Sequence, residues 1–204
     1  IHLTDNKSTN IYRLIHAEGD GLPGLILDYY AGTVVVQSHS IGMHYAKDII
    51  VKAIKNVYGD KLKAIFDKSE GTLPKTGPVQ VEDHYIYQSE DFTSVGLEHG
   101  CKFKIDWEKG QKTGFFIDQR DNRALLASYS KGKKVLNTFC YTGGFSIAAL
   151  NNGAEHVDSV DASARAIDLT NENVELNGFV NKHGSHAIDT FKFFEQNDCS
   201  QYDV

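Results

Sequence analysis

Two kinds of hydrophobic pattern divide the chain. In the first half, short runs of alternating or continuous apolar residues predict β-strands, which lie at residues 12–18, 25–30, 33–38, 62–67, 80–88 and 92–106. Residues 45–58 instead carry apolar side chains at helical spacing, which predicts one amphipathic helix of about four turns. Strands that surround a single helix in this order indicate a small α+β module.

The second half alternates between strand and helix patterns. An apolar strand at 135–139 is followed by a helix at 145–150, and a second strand ends at Asp161. A short third strand before Asp189 precedes a helical pattern at 190–196, and the final residues QYDV begin another strand. Such alternation predicts α/β architecture with a parallel, Rossmann-like sheet, incomplete within these residues. A further helix is predicted over residues 118–129.

The turn in LNTFCYTGGFSI combines features that suit a ligand. Gly143 and Gly144 carry no Cβ, so the backbone can approach a bound group, and the following helix directs its N–H groups into the same space. Asp161 follows eighteen residues after Gly143 and could accept hydrogen bonds from ribose hydroxyls. This pattern favours an adenosine-containing cofactor, although an ordinary tight turn and a helix cap at Asp161 or Ser163 stay open. The turn lacks GxGxxG, which argues against NAD and FAD.

Two further segments are candidates. Asp189 follows the third strand and could accept from an adenine amine, or it could simply cap the next helix. The stretch GQKTGFFIDQR gathers polar side chains around Phe115 and Phe116, which suits a polar ligand stacked on a ring. A solvated loop leading into a helix explains this stretch equally well.

Composition excludes several classes of protein. The net charge is −6, shared evenly between the two halves, so the chain is not a general polyanion binder. No apolar run approaches the roughly 18 residues of a membrane span. The three cysteines form no CxxC pair and the nine histidines show no metal spacing, so neither a disulfide framework nor a metal is expected. A reducing, cytoplasmic location is the simplest interpretation.

Three motifs together are similar to a known family. GQKTGFFIDQRDNR, VLNTFCYTGGFSIAAL and VDSVDASARAIDLTNENVELNG resemble class I S-adenosylmethionine-dependent RNA methyltransferases, specifically the large-subunit ribosomal RNA cytosine-C5 methyltransferase I family. EGDGLPGLILDYY resembles the start of that family's strand-strand-helix-strand-strand central module. The resemblance implies three parts: a tail of an RNA-binding PUA domain at 1–10, the central module at 11–107, and the first part of the cofactor-binding domain at 108–204.

The resemblance also implies the residues that bind S-adenosylmethionine. Those expected to surround it are Gln111, Thr113, Phe116, Asp118, Arg120, Phe139, Tyr141, Thr142, Gly143, Gly144, Asp161, Ser163 and Asp189. In the family, a cysteine and an Asp-Pro-Pro loop perform the chemistry, and both are expected beyond Val204. The implied reaction is methyl transfer to cytosine C5 of ribosomal RNA, and this chain by itself is expected to be inactive.

Other functions stay open from the sequence alone. A nucleotide-dependent oxidoreductase shares the turn and the carboxylate, and a non-catalytic RNA-binding or assembly module could retain a vestigial pocket. Ribosomal RNA is the expected partner, and the oligomeric state is open, with a homodimer among the options.

Overall fold

A computed structural model describes residues 6–74 and 80–204, so the expected tail at 1–10 and connector at 72–78 lie partly outside the described residues. Its contacts divide into two units. The first unit extends to Leu97 and includes Ile105–Ile117, whereas the second contains Glu98–Lys104 and Asp118–Val204. The chain therefore alternates between units, while the three expected domains stay a prediction.

The first unit contains a five-stranded mixed sheet. Its strands are β1 (Ile11–His16), β2 (Leu25–Tyr30), β3 (Thr33–Ser38), β4 (Ala64–Asp67) and β5 (His84–Gln88), which lie in that order. Only β3 and β4 run parallel, because the two short helices between them form a crossover. The predicted β2–β3 hairpin is confirmed, whereas the strand expected over 80–88 begins only at His84.

Among its described residues, the first unit contains two α-helices, of which the sequence predicted the second. Ser40 caps α1 (Ile41–Tyr45) by accepting from the Met43 backbone N–H at 3.3 Å, and α2 (Lys47–Tyr58) follows after Ala46. The amphipathic helix expected over 45–58 is confirmed as α2, which begins two residues later, whereas the short α1 and its capping Ser40 were not predicted. Ile54 of α2 packs into a core formed with Leu25, Leu27, Val34, Val36, Leu62 and Ile65.

Residues 95–117 contain the points at which the chain passes from one unit to the other. The β region expected over 92–106 is two strands, β6 (Val95–Glu98) and β7 (Cys101–Lys104), which form a separate sheet. They are interrupted at His99 and Gly100, both of which have left-handed φ angles of 50° and 82°. Residues 105–117 then contact the first unit, where Lys68 Nζ donates to the Gly110 carbonyl at 2.7 Å.

The second unit contains the parallel sheet that the alternating pattern predicted. After α3 (Arg120–Tyr129), the strands β8 (Lys134–Thr138), β9 (His156–Asp161) and β10 (His183–Ala187) alternate with α4 (Gly144–Asn151), α5 (Ala164–Leu176) and α6 (Thr190–Gln196). The strand order is β10-β9-β8, and both pairs are parallel. The carboxyl ends of all three strands therefore meet at one edge, which is where binding sites of such sheets form.

The last residues pair with β8, as the strand pattern of QYDV predicted. Asp203 N donates to the Lys134 carbonyl at 2.8 Å, and Leu136 N donates to the Val204 carbonyl at 2.9 Å. Beneath the sheet, α4 contributes Ala149 and Leu150 to a core with Val135, Ala154 and Val157. Among residues 6–74 and 80–204, no helix has the length and apolar character needed to cross a bilayer.

Candidate functional site

The loop between β8 and α4 has an unusual backbone. Phe139, Tyr141 and Gly143 have φ angles of 56°, 50° and 71°, while the residues between them keep ordinary negative values. A left-handed conformation costs a non-glycine residue about 1–3 kcal/mol and persists only where neighbouring groups enforce it. Alternation of this kind is also typical of backbone concavities that bind anions. The sequence indicated the glycines but not the two strained aromatic residues.

Asp161 joins the ends of two neighbouring strands. Its Oδ2 accepts from the backbone N–H of Tyr141 at 3.1 Å, and its Oδ1 accepts from that of Ser163 at 2.9 Å. A carboxylate can accept about four hydrogen bonds, so this half-buried side chain has capacity for a ligand hydroxyl. Sequence spacing brought Asp161 and the loop to the same edge, and the structure places them in direct contact.

The two glycines pack against the protein itself. A Cβ on Gly143 would lie 2.7 Å from Thr170 Cγ2, and one on Gly144 would lie 3.2 Å from Arg123 Cδ. Gly143 is also the residue before α4, where its φ of 71° and ψ of 18° suit glycine. The absent side chains therefore allow α4 to pack against α3 and α5. The sequence pattern did not indicate this packing role for the two glycines.

Two buried residues of α5 hold the loop and were missed from the sequence. Thr170 Oγ1 donates to the Tyr141 carbonyl at 3.0 Å, and Asn173 Nδ2 donates to the Thr142 carbonyl at 2.8 Å. Both side chains are fully buried. Polar residues on the apolar face of an amphipathic helix were the available signal, because burial of an amide or hydroxyl requires a partner.

Asp189 and Ser163 both cap helices. Asp189 Oδ1 accepts from the backbone N–H groups of Phe191 and Lys192 at 3.0 and 3.1 Å, and Ser163 Oγ accepts from that of Ala166 at 3.3 Å. The capping alternative is therefore present at both positions. Asp189 is exposed and follows β10 at the same sheet edge. Its role toward adenine stays a prediction.

The expected cofactor stretch at 111–120 is divided between the units. Gln111, Thr113 and Phe116 belong to the first unit, while Asp118 and Arg120 belong to the second. Thr113 is buried, and its hydroxyl donates to Asp28 Oδ2 at 2.6 Å, which indicates a structural role.

Three other residues of this stretch also have intramolecular partners within their own units. Phe116 lies under the Lys112 ammonium, with 4.6 Å from Nζ to the ring centroid. The Gln111 carbonyl accepts from Gly114 N at 2.8 Å, which closes a turn. In the second unit, Arg120 Nε donates to the buried carboxylate of Glu98 at 3.0 Å, while Asp118 is exposed.

Two cysteines are poorly suited to nucleophilic chemistry. Burial raises the pKa of the Cys140 thiol to about 11, and burial likewise raises the pKa of Cys101 to about 11. Cys140 lies within the loop, 3.6 Å from Thr170 Oγ1, as a small buried side chain. Within 6–74 and 80–204, no three His, Cys, Asp or Glu side chains are grouped so that they could hold a metal ion.

A buried polar chain lies under the loop. Asn137 Nδ2 donates to Ser146 Oγ at 2.8 Å, Ser146 bonds Ser159 at 2.6 Å, and Ser159 bonds His183 Nε2 at 2.8 Å. Burial lowers the pKa of His183 from 6.5 to about 4, so the ring is neutral near pH 7. This network connects β8, α4, β9 and β10 and holds the three strands and the helix together below the site.

Comparison with known proteins identifies the family of the chain. Residues 87–197 match a family model described as S-adenosylmethionine-dependent methyltransferase. The chain is 43% identical over 169 residues to the ribosomal RNA large subunit methyltransferase I of Aeromonas hydrophila. The matched residues cover 82% of this chain and 42% of that protein. The protein of the same name from Erwinia tasmaniensis is 37% identical, with 95% and 48% covered. The chain thus spans about half the length of the curated relatives it matches.

Solved structures show the same fold. A protein from Streptococcus mutans, provisionally described as a SAM-dependent methyltransferase, superposes with a TM-score of 0.82 at 29% identity, covering 96% of this chain and 50% of that one. A structure with the same values is described as a methyltransferase complexed with SAH (S-adenosylhomocysteine). Since the family model covers more than half of these 204 residues and the α/β fold agrees, the chain belongs to the S-adenosylmethionine-dependent methyltransferase family.

Proposed function

We propose that the second unit binds S-adenosylmethionine at the carboxyl edge of its parallel sheet. The observation that carries the proposal is the hydrogen bond from Tyr141 N to Asp161, which brings the strained loop and an acidic strand end together. The donor chemistry fits the cofactor. The half-buried carboxylate retains capacity to accept from ribose hydroxyls, at the edge where the glycine-containing loop begins α4.

Three residues of the second unit would contact different parts of the cofactor. Asp161 would orient the ribose, Asp189 would accept from the adenine amine through its exposed carboxylate, and the ring of Phe139, 68% exposed, would cover an apolar part of the cofactor. When bound, the cofactor supplies an activated methyl group as the electrophile. Gln111, Thr113, Phe116, Asp118 and Arg120 are assigned to the site by the family resemblance alone.

We further propose that the acceptor is large-subunit ribosomal RNA, methylated at cytosine C5. The names of the relatives support ribosomal RNA, and the motif resemblance supports cytosine C5. Cytosine C5 is a weak nucleophile, and addition of a thiolate to C6 activates it. At pH 7 a thiol with a pKa of about 11 is almost entirely protonated, so Cys101 and Cys140 do not supply that thiolate. A cytoplasmic location would follow from this substrate.

Calorimetric titration of the chain with SAH tests the cofactor site. Asp161→Asn keeps the size of the side chain and one acceptor oxygen but removes the charge, and affinity should fall at least about tenfold. Asp168→Asn alters an exposed carboxylate on α5 and should leave the affinity unchanged. Equal binding by both variants would remove the ribose role, and a fluorescence change with NADH instead of SAH binding would favour an oxidoreductase.

Nucleoside mass spectrometry tests the substrate. Large-subunit ribosomal RNA from cells lacking the gene should lose one 5-methylcytidine, and a gene copy encoding Asp161→Asn should restore it poorly, whereas the Asp168→Asn copy should restore it fully. An unchanged 5-methylcytidine content with loss of another methylated nucleoside would keep the methyltransferase activity and overturn the cytosine-C5 assignment.

A further inference from the structure

We propose that Thr170 and Asn173 of α5 are positioning residues, which hold two successive peptide groups of the cofactor loop and so set the direction of the Thr142 N–H. The inference rests on the proposed function, because it assigns to these residues control over cofactor affinity. Neither is expected to touch the cofactor, since both side chains are fully buried.

The loop needs external support. Tyr141 has a φ of 50°, which is unfavourable for an aromatic residue unless its neighbours enforce it. Its backbone is held on both sides, because its N–H donates to Asp161 at 3.1 Å and its carbonyl accepts from Thr170 Oγ1 at 3.0 Å. The next carbonyl, that of Thr142, accepts from Asn173 Nδ2 at 2.8 Å. Two successive peptide groups are thus anchored to one helix, and the N–H of the second group, that of Gly143, donates to the Cys140 carbonyl at 2.8 Å.

Anchoring the carbonyls also directs the N–H groups. The structure contains no cis peptide among the described residues, so each N–H points opposite to the carbonyl of the same peptide group. With the Tyr141 carbonyl directed at Thr170, the N–H of Thr142 points away from α5. Without the Thr170 hydroxyl, this peptide group could rotate, and the donor would lose its fixed direction.

The geometry leaves little freedom for Thr170 itself. Its Oγ1 also lies 3.6 Å from Cys140 Sγ, and its Cγ2 faces the space where Gly143 lacks a side chain. Asn173 is fixed in turn, because its Oδ1 accepts from the backbone N–H of Lys104 at 2.7 Å. A rigid side chain orients its partner more precisely than a mobile one, as preorganised binding sites require.

Asn177 supplies a matched control on the same helix. Its Oδ1 accepts from Lys102 N at 2.9 Å, and its Nδ2 donates to the carbonyls of Lys102 and Asn173, both at 2.7 Å. These are also bonds between a side chain and the backbone, but they hold β7 and the end of α5 instead of the loop. Asn177→Ala should therefore lower the thermal stability without changing cofactor affinity.

The experiment measures SAH affinity by calorimetry and melting temperature by scanning calorimetry, on the full 204-residue chain. Thr170→Val keeps the shape and the methyl group and should weaken SAH binding about fivefold or more, because one directing hydrogen bond is lost. Thr170→Ser keeps the hydroxyl and should restore most of the affinity. Asn173→Asp keeps the acceptor for Lys104 but removes the donor to Thr142, and it should also weaken binding at least about fivefold.

The outcomes separate the two proposals. A wild-type chain that binds no SAH overturns the proposed function. Wild-type binding together with unchanged affinity in Thr170→Val and Asn173→Asp overturns the positioning role alone, as does an equal loss of affinity in Asn177→Ala. If Thr170→Val does not fold, Thr170→Ala, which creates no new contact, is compared with Thr170→Ser by the same criteria.

Discussion

Replacing Gly143 with alanine tests whether this glycine is required for packing as well as for its backbone conformation. The new Cβ would lie 2.7 Å from Thr170 Cγ2, closer than such atoms approach in real structures, and 3.1 Å from Thr170 Oγ1, which is a tight contact. Thr170 cannot simply rotate away, because its hydroxyl donates to the Tyr141 carbonyl at 3.0 Å. The clash must therefore be relieved by shifting α4 or α5.

Two terms contribute to the expected loss of stability. The left-handed φ of 71° costs a residue with a Cβ about 1–2 kcal/mol. Overpacking against a neighbour that cannot move costs typically about 1–3 kcal/mol more. The free energy of unfolding should therefore fall by about 2–5 kcal/mol, which is a large fraction of the roughly 5–15 kcal/mol that stabilises a typical domain.

Urea denaturation followed by circular dichroism measures this loss, with Gly178→Ala as the control. Gly178 has a nearly identical φ of 75°, but a Cβ there meets no atom within 4 Å among the described residues. The control should therefore show only the backbone cost of about 1–2 kcal/mol. Equal losses in Gly143→Ala and Gly178→Ala would refute the packing argument.

Three further predictions concern charge and protonation. Glu98→Gln should destabilise the protein by about 3–5 kcal/mol in urea unfolding, because the buried Arg123 loses its carboxylate, whereas Glu172→Gln in the exposed pair with Lys104 should cost less than about 1 kcal/mol. Equal costs would contradict this account. The pKa of His183 falls from 6.5 to about 4 on folding, so its contribution to stability is complete above pH 6.5 and is lost as the pH falls toward 4. His183→Gln should flatten the stability profile in that window, and an unchanged slope would exclude this residue. With the pKa of its thiol raised to about 11, Cys140 should resist iodoacetamide at pH 8 in the native chain and react after unfolding, as peptide mass spectrometry can measure.

Sequence patterns predicted the fold where short-range signals were strong. The β2–β3 hairpin and the succession of strands and helices from β8 to α6 follow from periodicity and from the turn residues between them. The amphipathic helix expected over 45–58 formed as α2, but the five-residue α1 before it was missed, because so short a helix shows too little periodicity to be recognised. The approach of Asp161 to the loop was expected, since the ends of neighbouring parallel strands share an edge.

The sequence by itself determined which elements form and at which sheet edge the loop and Asp161 meet, because hydrophobic periodicity and the order of strands and helices along the chain can be read from local segments. The tertiary structure decided which groups hold that site. Thr170 and Asn173 support a loop about thirty residues earlier in the chain, and Thr113 bonds Asp28 at a separation of 85 residues. Such contacts depend on which helix faces and loops meet in space, and only the packed chain specifies that.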